Sequence, residues 1–514
     1  MAKETFYITT PIYYVNDYPH IGHAYTTVAA DVLARYYRLC GKDVFFLTGT
    51  DEHGQKIEKT AEKNGETPIA LADRVVKRFE ALWQALTISH DDFIRTTEKR
   101  HEQGAIAFFN ACLAKEDIYL GEYEGWYAIN DEAFLTDTQV AEIGEQELQA
   151  NPIYTQLQEK TYYFKLSKYQ DALLSHIEKH PDFVQPASRR NEVISFIKQG
   201  LKDLSVSRTS FKWGIPLPND QDHVMYVWMD ALSNYMTSLG YGHDNQEKWE
   251  KFWPADVHLV GKDILRFHAI FWPAFLMSAG VELPKTVFAH GWWTVEGEKM
   301  SKSKGNFVDP FAFVDTYGAD PFRYFLLKEF TFGQDGNFSK EQFVQRLNTE
   351  LANELGNLVS RSISMVEKYC AGKIPDFDAD QTDAFLQPLH AHFKQYQEKI
   401  EHLKFDQAFS HIWDAIKVAN QYIEQQQPWA LAKNQDTAKL GTTLYNILET
   451  IRMVSIAIAP VMPTMSDSIR QKLGLKDIEA EVGKNLFSDV YQKAVLLPGQ
   501  TICKGEALFQ RIEA

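Results

Sequence analysis

Phe6-Tyr7-Ile8-Thr9-Thr10, then His20-Ile21-Gly22-His23, then Val44-Phe45-Phe46-Leu47: these stretches of the first fifty residues decide the fold class. The first is rich in residues that suit a pleated strand, and it stops at Pro11, which cannot donate to a ladder. After Gly22 the composition turns helical through Val32, Leu33 and Tyr36, and Gly41 is the stop. Val44 to Leu47 is a continuous apolar run of the kind buried in a parallel sheet. Strand, helix and strand in this order imply a right-handed crossover, with ligands at the carboxyl ends of the strands. His20 and the segment Thr48 to His53 fall at such ends.

Working outward, short aromatic strands and turns fill residues 117–224, as in Gly125-Trp126-Tyr127 and Tyr162-Tyr163-Phe164. This reads as an insertion with its own small core. Apolar β-rich pieces return at Val257 to Val260 and Thr286 to Ala289, completing the interrupted sheet. The sequence therefore predicts a split catalytic domain at 1–116 and 225–292, the insertion between, a loop region at 293–346, and a helical domain at 347–514. In the last, Phe405, Phe409, Ile412, Ile416, Ala419 and Ile423 step by four and three, and Leu440, Leu444, Ile447, Ile451, Val454 and Ile458 repeat the steps. Such stripes predict amphipathic helices packed in a bundle.

Composition narrows the function classes. At 514 residues, about three domains are expected. No apolar run reaches the length of a membrane span, and no basic start leads into one, so a cytoplasmic protein away from membranes is expected. The net charge of −16, from 53 basic and 69 acidic residues, argues against general DNA or RNA binding, since phosphate affinity rests on Lys and Arg. It leaves room for a partner gripped by a local basic patch. Cys40, Cys112, Cys370 and Cys503 lie too far apart for a metal knuckle and read as buried free thiols, so no metal site is predicted.

Two motifs carry chemistry. His20 and His23 stand where a helix begins, where unpaired amides and the helix dipole favour phosphate, and Gly22 lets a ligand approach the backbone. An imidazole there can donate to a phosphate oxygen whose charge grows in a transition state. Alone, the pair is equally explained as polar histidines at a helix cap. Far downstream, Lys299-Met300-Ser301-Lys302-Ser303 lies between Gly297 and Gly305, a cationic loop suited to a triphosphate. Alone it could be a solvated basic loop. Neither a Walker loop nor G-x-G-x-x-G occurs.

In this order, the two motifs resemble those of class I aminoacyl-tRNA synthetases. Pro11-Ile12-Tyr13-Tyr14-Val15-Asn16, Thr50-Asp51-Glu52-His53-Gly54, Tyr226 to Ala231 and Gly261-Lys262-Asp263-Ile264 resemble blocks of the methionyl-tRNA synthetase family over essentially the whole chain. The resemblance implies an α/β fold with a Rossmann-type parallel sheet, an inserted connective domain, and an all-α anticodon-binding bundle. It implies methionine activation by ATP with Mg2+ and transfer to tRNA(Met). His20, His23, Lys299 and Lys302 would be catalytic. Gly22, Arg208, Gly261, Asp263, Ser301 and Ser303, with the two lysines, would bind ATP. Asp51 would take the substrate ammonium, with Ile12, Tyr14, Trp228, Ala231, Tyr235, Ile264 and His268 lining the side-chain pocket. Aromatic walls suit polarizable sulfur, and Tyr14 or His268 could donate to it. Plain core packing remains the alternative for Trp228 and Tyr235, and Asp230 receives no role.

The resemblance also implies that Asn357, Arg361 and Trp429 read the anticodon. Asn357 and Arg361 share a helix face, and unpaired bases stack on aromatics. Many family members carry a cysteine-ligated zinc in the insertion. The matching stretch here, Tyr123 to Tyr127 and Asp131 to Phe134, has no cysteine, so no zinc is expected. A chain ending at the bundle is expected to be a monomer. The rival readings are another class I synthetase and a catalytically silent tRNA-binding relative, against which the histidines and lysines speak.

Overall fold

The computed structural model describes residues 3–15, 18–129, 133–135, 137–295, 298–299, 308–481, 484–492 and 495–512. Its centre is a parallel seven-stranded sheet. The strands are β1 (Thr5–Thr9), β2 (Tyr13–Tyr14), β3 (Asp43–Asp51), β4 (Asp92–Arg95), β5 (Val184–Gln185), β6 (Val257–Gly261) and β7 (Thr286–His290). The order is β2-β3-β1-β6-β7-β5, with β4 also pairing β3. Helix α1 (Ile21–Leu39) makes the first crossover, from β1 to its parallel neighbour β3. The chain then passes to β6 on the other side of β1. That reversal leaves a crevice at the carboxyl ends of β1 and β6, where open α/β sheets bind ligands.

Strand β3 outruns its apolar core of Val44 to Leu47 and continues to Asp51. Its later residues are polar yet buried, and local bonding makes this tolerable. The Thr10 hydroxyl lies 2.8 Å from both the Thr48 hydroxyl and the Pro11 carbonyl. Continuing the strand carries Asp51 into the crevice.

The insertion is anchored more firmly than an independent lobe. Its long hairpin pairs Ile118–Ala128 with Tyr154–Phe164 antiparallel. The far end packs a small core of Ala128, Leu135 and Leu148. The near end, with Ile118 and Phe164, belongs to the same core as Phe45, Val260 and Val287 of the main sheet. Residues 184–185 then join the sheet itself, parallel to β7.

Helix α2 (Val227–Thr237) packs Met229, Leu232 and Tyr235 into that same core. The C-terminal region holds α3 (Asn357–Cys370), α4 (Ala379–Glu401), α5 (Phe405–Gln426), α6 (Pro428–Lys433) and α7 (Thr437–Ile458). The predicted stripe of α5 is buried as expected. For α7 the expectation of an amphipathic helix is corrected, because every residue from Leu440 to Ile458 is buried. It is the central rod of the bundle, and its polar residues are bonded inside: Arg452 Nε donates to Glu449 Oε2 at 2.5 Å. The cysteines also differ from expectation. All are free, but Cys112 alone of the four is buried and Cys503 is exposed. Among the described residues no helix is long and apolar enough to cross a membrane.

Candidate active site

At the start of α1 the two histidines serve the helix. His20 Nδ1 accepts from Gly22 N at 3.0 Å, and His23 Nδ1 accepts from His20 N at 3.1 Å. The rings stack 3.9 Å apart. An imidazole that accepts at Nδ1 carries its proton on Nε2, so each neutral ring keeps one N–H donor. Cap and phosphate donor are thus compatible roles. Burial and the neighbouring His20 hold His23 well below the ordinary imidazole value, which keeps it neutral. Gly22 is required by this geometry: a Cβ there would lie 2.8 Å from His20 Cε1.

The next turn of α1 ties this cap to the far half of the sheet. His290 Nδ1 donates to the Gly291 carbonyl at 2.8 Å, so its Nε2 accepts from the Thr26 hydroxyl at 2.7 Å. From β7 the chain enters a small sheet in which Trp293–Val295 pairs with Glu298–Lys299, Thr294 opposite Lys299. The backbone of Lys299 therefore lies a few residues beyond the end of β7. Its side chain, and Ser301, Lys302 and Ser303 entirely, lie outside the described residues. His290 was not found by sequence reasoning, since a lone histidine at a strand end gives no signal.

Asp51 is buried at the end of β3. The neighbouring Glu52 is committed to structure: Arg95 grips both its oxygens, at 2.7 and 3.0 Å. His53 Nδ1 lies 2.7 Å from Asp230 Oδ2, and His101 Nε2 lies 2.7 Å from Asp230 Oδ1. This supplies the role the sequence withheld. Asp230 clamps the Asp51 segment to α2, the helix that carries Trp228, Ala231 and Tyr235. Burial pushes the Asp230 carboxyl up, but the two histidines overcome this and hold it at about 2. His53 is raised: Asp230 overcomes the effect of burial.

Tyr235 and His268 meet in the pocket, with Tyr235 Oη 2.7 Å from His268 Nε2. His268 Nδ1 donates to the Ile264 carbonyl at 3.0 Å, so Nε2 is an acceptor and Tyr235 is the donor. Burial lowers His268 to about 4, in keeping with a neutral ring. The expectation that His268 could donate to sulfur is corrected, because its one proton goes to the backbone. A π-helical turn, Phe267–Phe271, turns His268 inward. Trp228 is half-buried and stacks on Phe267 at 3.7 Å, rather than sitting in the core, whereas Tyr235 is wholly buried. Ile12, Tyr14 and Ile264 are half-buried near the strand ends.

Toward the nucleotide side, a Cβ at Gly261 would lie 2.5 Å from Asp263 Oδ1, so glycine lets that carboxylate fold back over the end of β6. Asp263 accepts from Trp292 Nε1 at 3.3 Å. Arg208 is buried, bonded to Ser205 Oγ at 2.7 Å and stacked 4.7 Å over Tyr226, the residue that precedes α2. Far away in the bundle, Asn357 and Arg361 are exposed on α3, and Arg361 pairs with Glu424 of α5 at 2.9 Å. Trp429, 44% exposed, opens α6 nearby in sequence.

A parallel sheet with a crevice at its strand ends, histidines at the start of the first crossover helix and a buried carboxylate at a strand end make up the frame of a class I aminoacyl-tRNA synthetase. The family profile "tRNA synthetases class I (M)" matches residues 6–150 and 149–363, and "Anticodon binding domain of methionyl tRNA ligase" matches 376–514. The chain belongs to the methionine–tRNA ligase family. A methionine–tRNA ligase of Halalkalibacterium halodurans is 49% identical over 530 residues, spanning 100% of this chain and 79% of that protein. One from Rickettsia felis is 47% identical over 516 residues, spanning 99% of both. The solved Mycobacterium tuberculosis methionyl-tRNA synthetase in complex with methionyl-adenylate superposes with a TM-score of 0.92 at 44% identity, over 99% of this chain and 100% of that one.

Proposed function

We propose that the chain activates methionine with ATP, releasing pyrophosphate, and passes the methionyl group to tRNA(Met). The observation that carries this is the crevice at the carboxyl ends of the sheet, beside which the His20–His23 cap follows β1 and Asp51 ends β3, its segment tied through His53 and Asp230 to the helix that bears Tyr235. Such a crevice can hold an amino acid's carboxylate against the α-phosphate of ATP.

In the first step a methionine carboxylate oxygen attacks the α-phosphorus and pyrophosphate leaves. Catalysis of this kind is positioning plus charge stabilisation. The Nε2–H groups of His20 and His23 donate to the α-phosphate as its charge grows. Lys299 and Lys302 neutralise the departing pyrophosphate, with Ser301 and Ser303 beside them. ATP enters as its Mg2+ salt. Gly22, Gly261, Asp263 and Arg208 shape the nucleotide side. Asp51 takes the ammonium, and the pocket residues enclose the thioether. With His268 an acceptor and the Tyr235 proton given to it, the Tyr14 hydroxyl would be the donor to sulfur. A tRNA hydroxyl then attacks the carbonyl of the adenylate and AMP leaves, while Asn357, Arg361 and Trp429 hold the anticodon.

The division into a split catalytic domain, insertion, loop region and bundle fits this work. So do a cytoplasmic location, a monomer and an insertion without zinc at its cysteine-free knuckle. Methionine-dependent ATP–pyrophosphate exchange, run across the twenty amino acids, tests the reading. Exchange with methionine is expected; exchange with leucine or isoleucine alone, or with none, overturns it.

A further inference from the structure

The hairpin of α4 and α5 carries side chains that no step of aminoacylation uses. The two helices are joined by residues 402–404, with Leu403 turning the chain at φ +56°. Buried Phe393, Tyr396, Ile412 and Trp413 fix how they pack. Within this frame His392 of α4 faces His411 and Asp414 of α5, which stand three residues apart on one face. All three are half-buried, and one nitrogen or oxygen from each lies within 4.8 Å of the others. The imidazole rings are 6.2 Å apart. Among the described residues neither ring is held by a hydrogen bond.

We propose that His392, His411 and Asp414 bind one divalent transition-metal ion of the zinc class, which staples α4 to α5. Two imidazoles and one carboxylate are the donor set of an open zinc site, with water in the fourth position. Mg2+ and Ca2+ prefer oxygen cages, so this site is distinct from the ion that ATP carries. Tetrahedral zinc needs donors about 3.3 Å apart. Side-chain rotation can supply that contraction while the packed backbones stay still. The surrounding charges nearly balance: Lys417 Nζ lies 3.9 Å from Asp414 Oδ1, and Lys399 and Glu398 act on His411 with opposite sign. Lys417 is exposed and can swing off when the ion arrives. An ion that binds the folded hairpin alone stabilises it by mass action. Helix α5 also presents Glu424 to Arg361, so the staple would stiffen the helix beside that pair.

The test is a calorimetric titration of the chelator-treated full chain with ZnCl2. One zinc per chain is expected, with a Tm that rises on addition. His411→Asn and Asp414→Asn should each weaken binding at least tenfold, and the double variant His392→Asn/His411→Asn should lose the Tm response. Cys503→Ser should bind like the parent. Saturable binding undiminished in the double variant, or none in the parent, overturns the proposal. A second readout needs no variant: Co2+ loaded into the parent should show weak visible bands of a nitrogen–oxygen site. An intense thiolate charge-transfer band would put the metal on cysteine and overturn it equally.

Discussion

A carboxylate buried away from water keeps its charge only when something answers it, and at Asp230 two imidazoles do. His53 and His101 each approach one oxygen at 2.7 Å, so the clamp joins three segments far apart in the chain. Asp230→Asn leaves the shape and removes the charge. Breaking a buried pair of this kind costs about 3–5 kcal/mol, and urea unfolding should show it. Because the clamp sets the Asp51 segment against α2, KM for methionine should rise roughly tenfold or more while KM for ATP stays within about twofold. Equal loss in both would mean the clamp is structural only. The pH dependence has a fixed sign. His53 is raised in the fold, so its charged form adds stability below the unfolded imidazole value of about 6.5 and this is lost as pH rises through the higher folded value. The Tm gap between parent and Asp230→Asn should therefore narrow from about pH 6.5 upward; a constant gap would refute a charged His53. The sequence could not show this, because Asp230 finds its partners 177 and 129 residues away.

At the scale of elements, the proposed chemistry falls at helix ends. The start of α1 was legible as histidines around a glycine, but not that Nδ1 of each ring would cap the helix and so fix the outward proton on Nε2. Gly22→Ala puts a methyl 2.8 Å from His20 Cε1 and must turn that ring. Losing one well-aimed donor to a developing phosphate charge costs roughly 10²-fold, so pyrophosphate exchange should fall by about that factor while methionine binding, followed by fluorescence, holds. Loss of methionine binding as well would point to a collapsed helix start. The start of α6 is a different case. Gln427 turns the chain at φ +47° and leaves Trp429 44% exposed. An indole there can stack on a base for about 1–3 kcal/mol, so Trp429→Ala should weaken aminoacylation by roughly 5- to 150-fold with exchange intact. Equal decline in both assays would make Trp429 structural. The heptad-like stripe of α5 gave its buried face directly. That of α7 gave only half the truth: polar residues between its apolar steps, such as Glu449 and Arg452, look solvent-facing until one sees them paired with each other inside. Strand β5, two residues long, is too short for any pattern to reveal.

Across the whole molecule, the outer face of α1 and the bundle share one continuous core, from Phe6 and Tyr36 through Phe325 and Leu355 to Ile451. Arg323 sits at the centre of that junction, wholly buried. Its guanidinium donates to Asp31 Oδ2 at 2.6 Å, to the Leu86 carbonyl at 3.0 Å, and to the carbonyls of Pro460 and Val461 at 2.8 and 2.9 Å. One side chain thus fastens α1 to the chain that leaves α7. Burial raises the Asp31 carboxyl, yet Arg35 and Arg323 together bring it well below the usual carboxylate range. A depressed carboxylate contributes stability above its unfolded value, and that contribution disappears as pH falls through the folded one. Arg323→Met removes one of the two cations and takes this donor from three carbonyls, of which Leu86 keeps the Thr87 hydroxyl. The acid-unfolding midpoint, followed by far-UV circular dichroism, should move to higher pH, and stability at neutral pH should fall by about 3–5 kcal/mol. If this residue couples the two halves, thermal unfolding of the variant should also separate into two steps, with the bundle and the sheet melting apart. A variant that still melts in one step, at an unchanged acid midpoint, would mean that the shared apolar core alone joins catalytic centre to anticodon-binding helices, and that Arg323 merely fills the space between them.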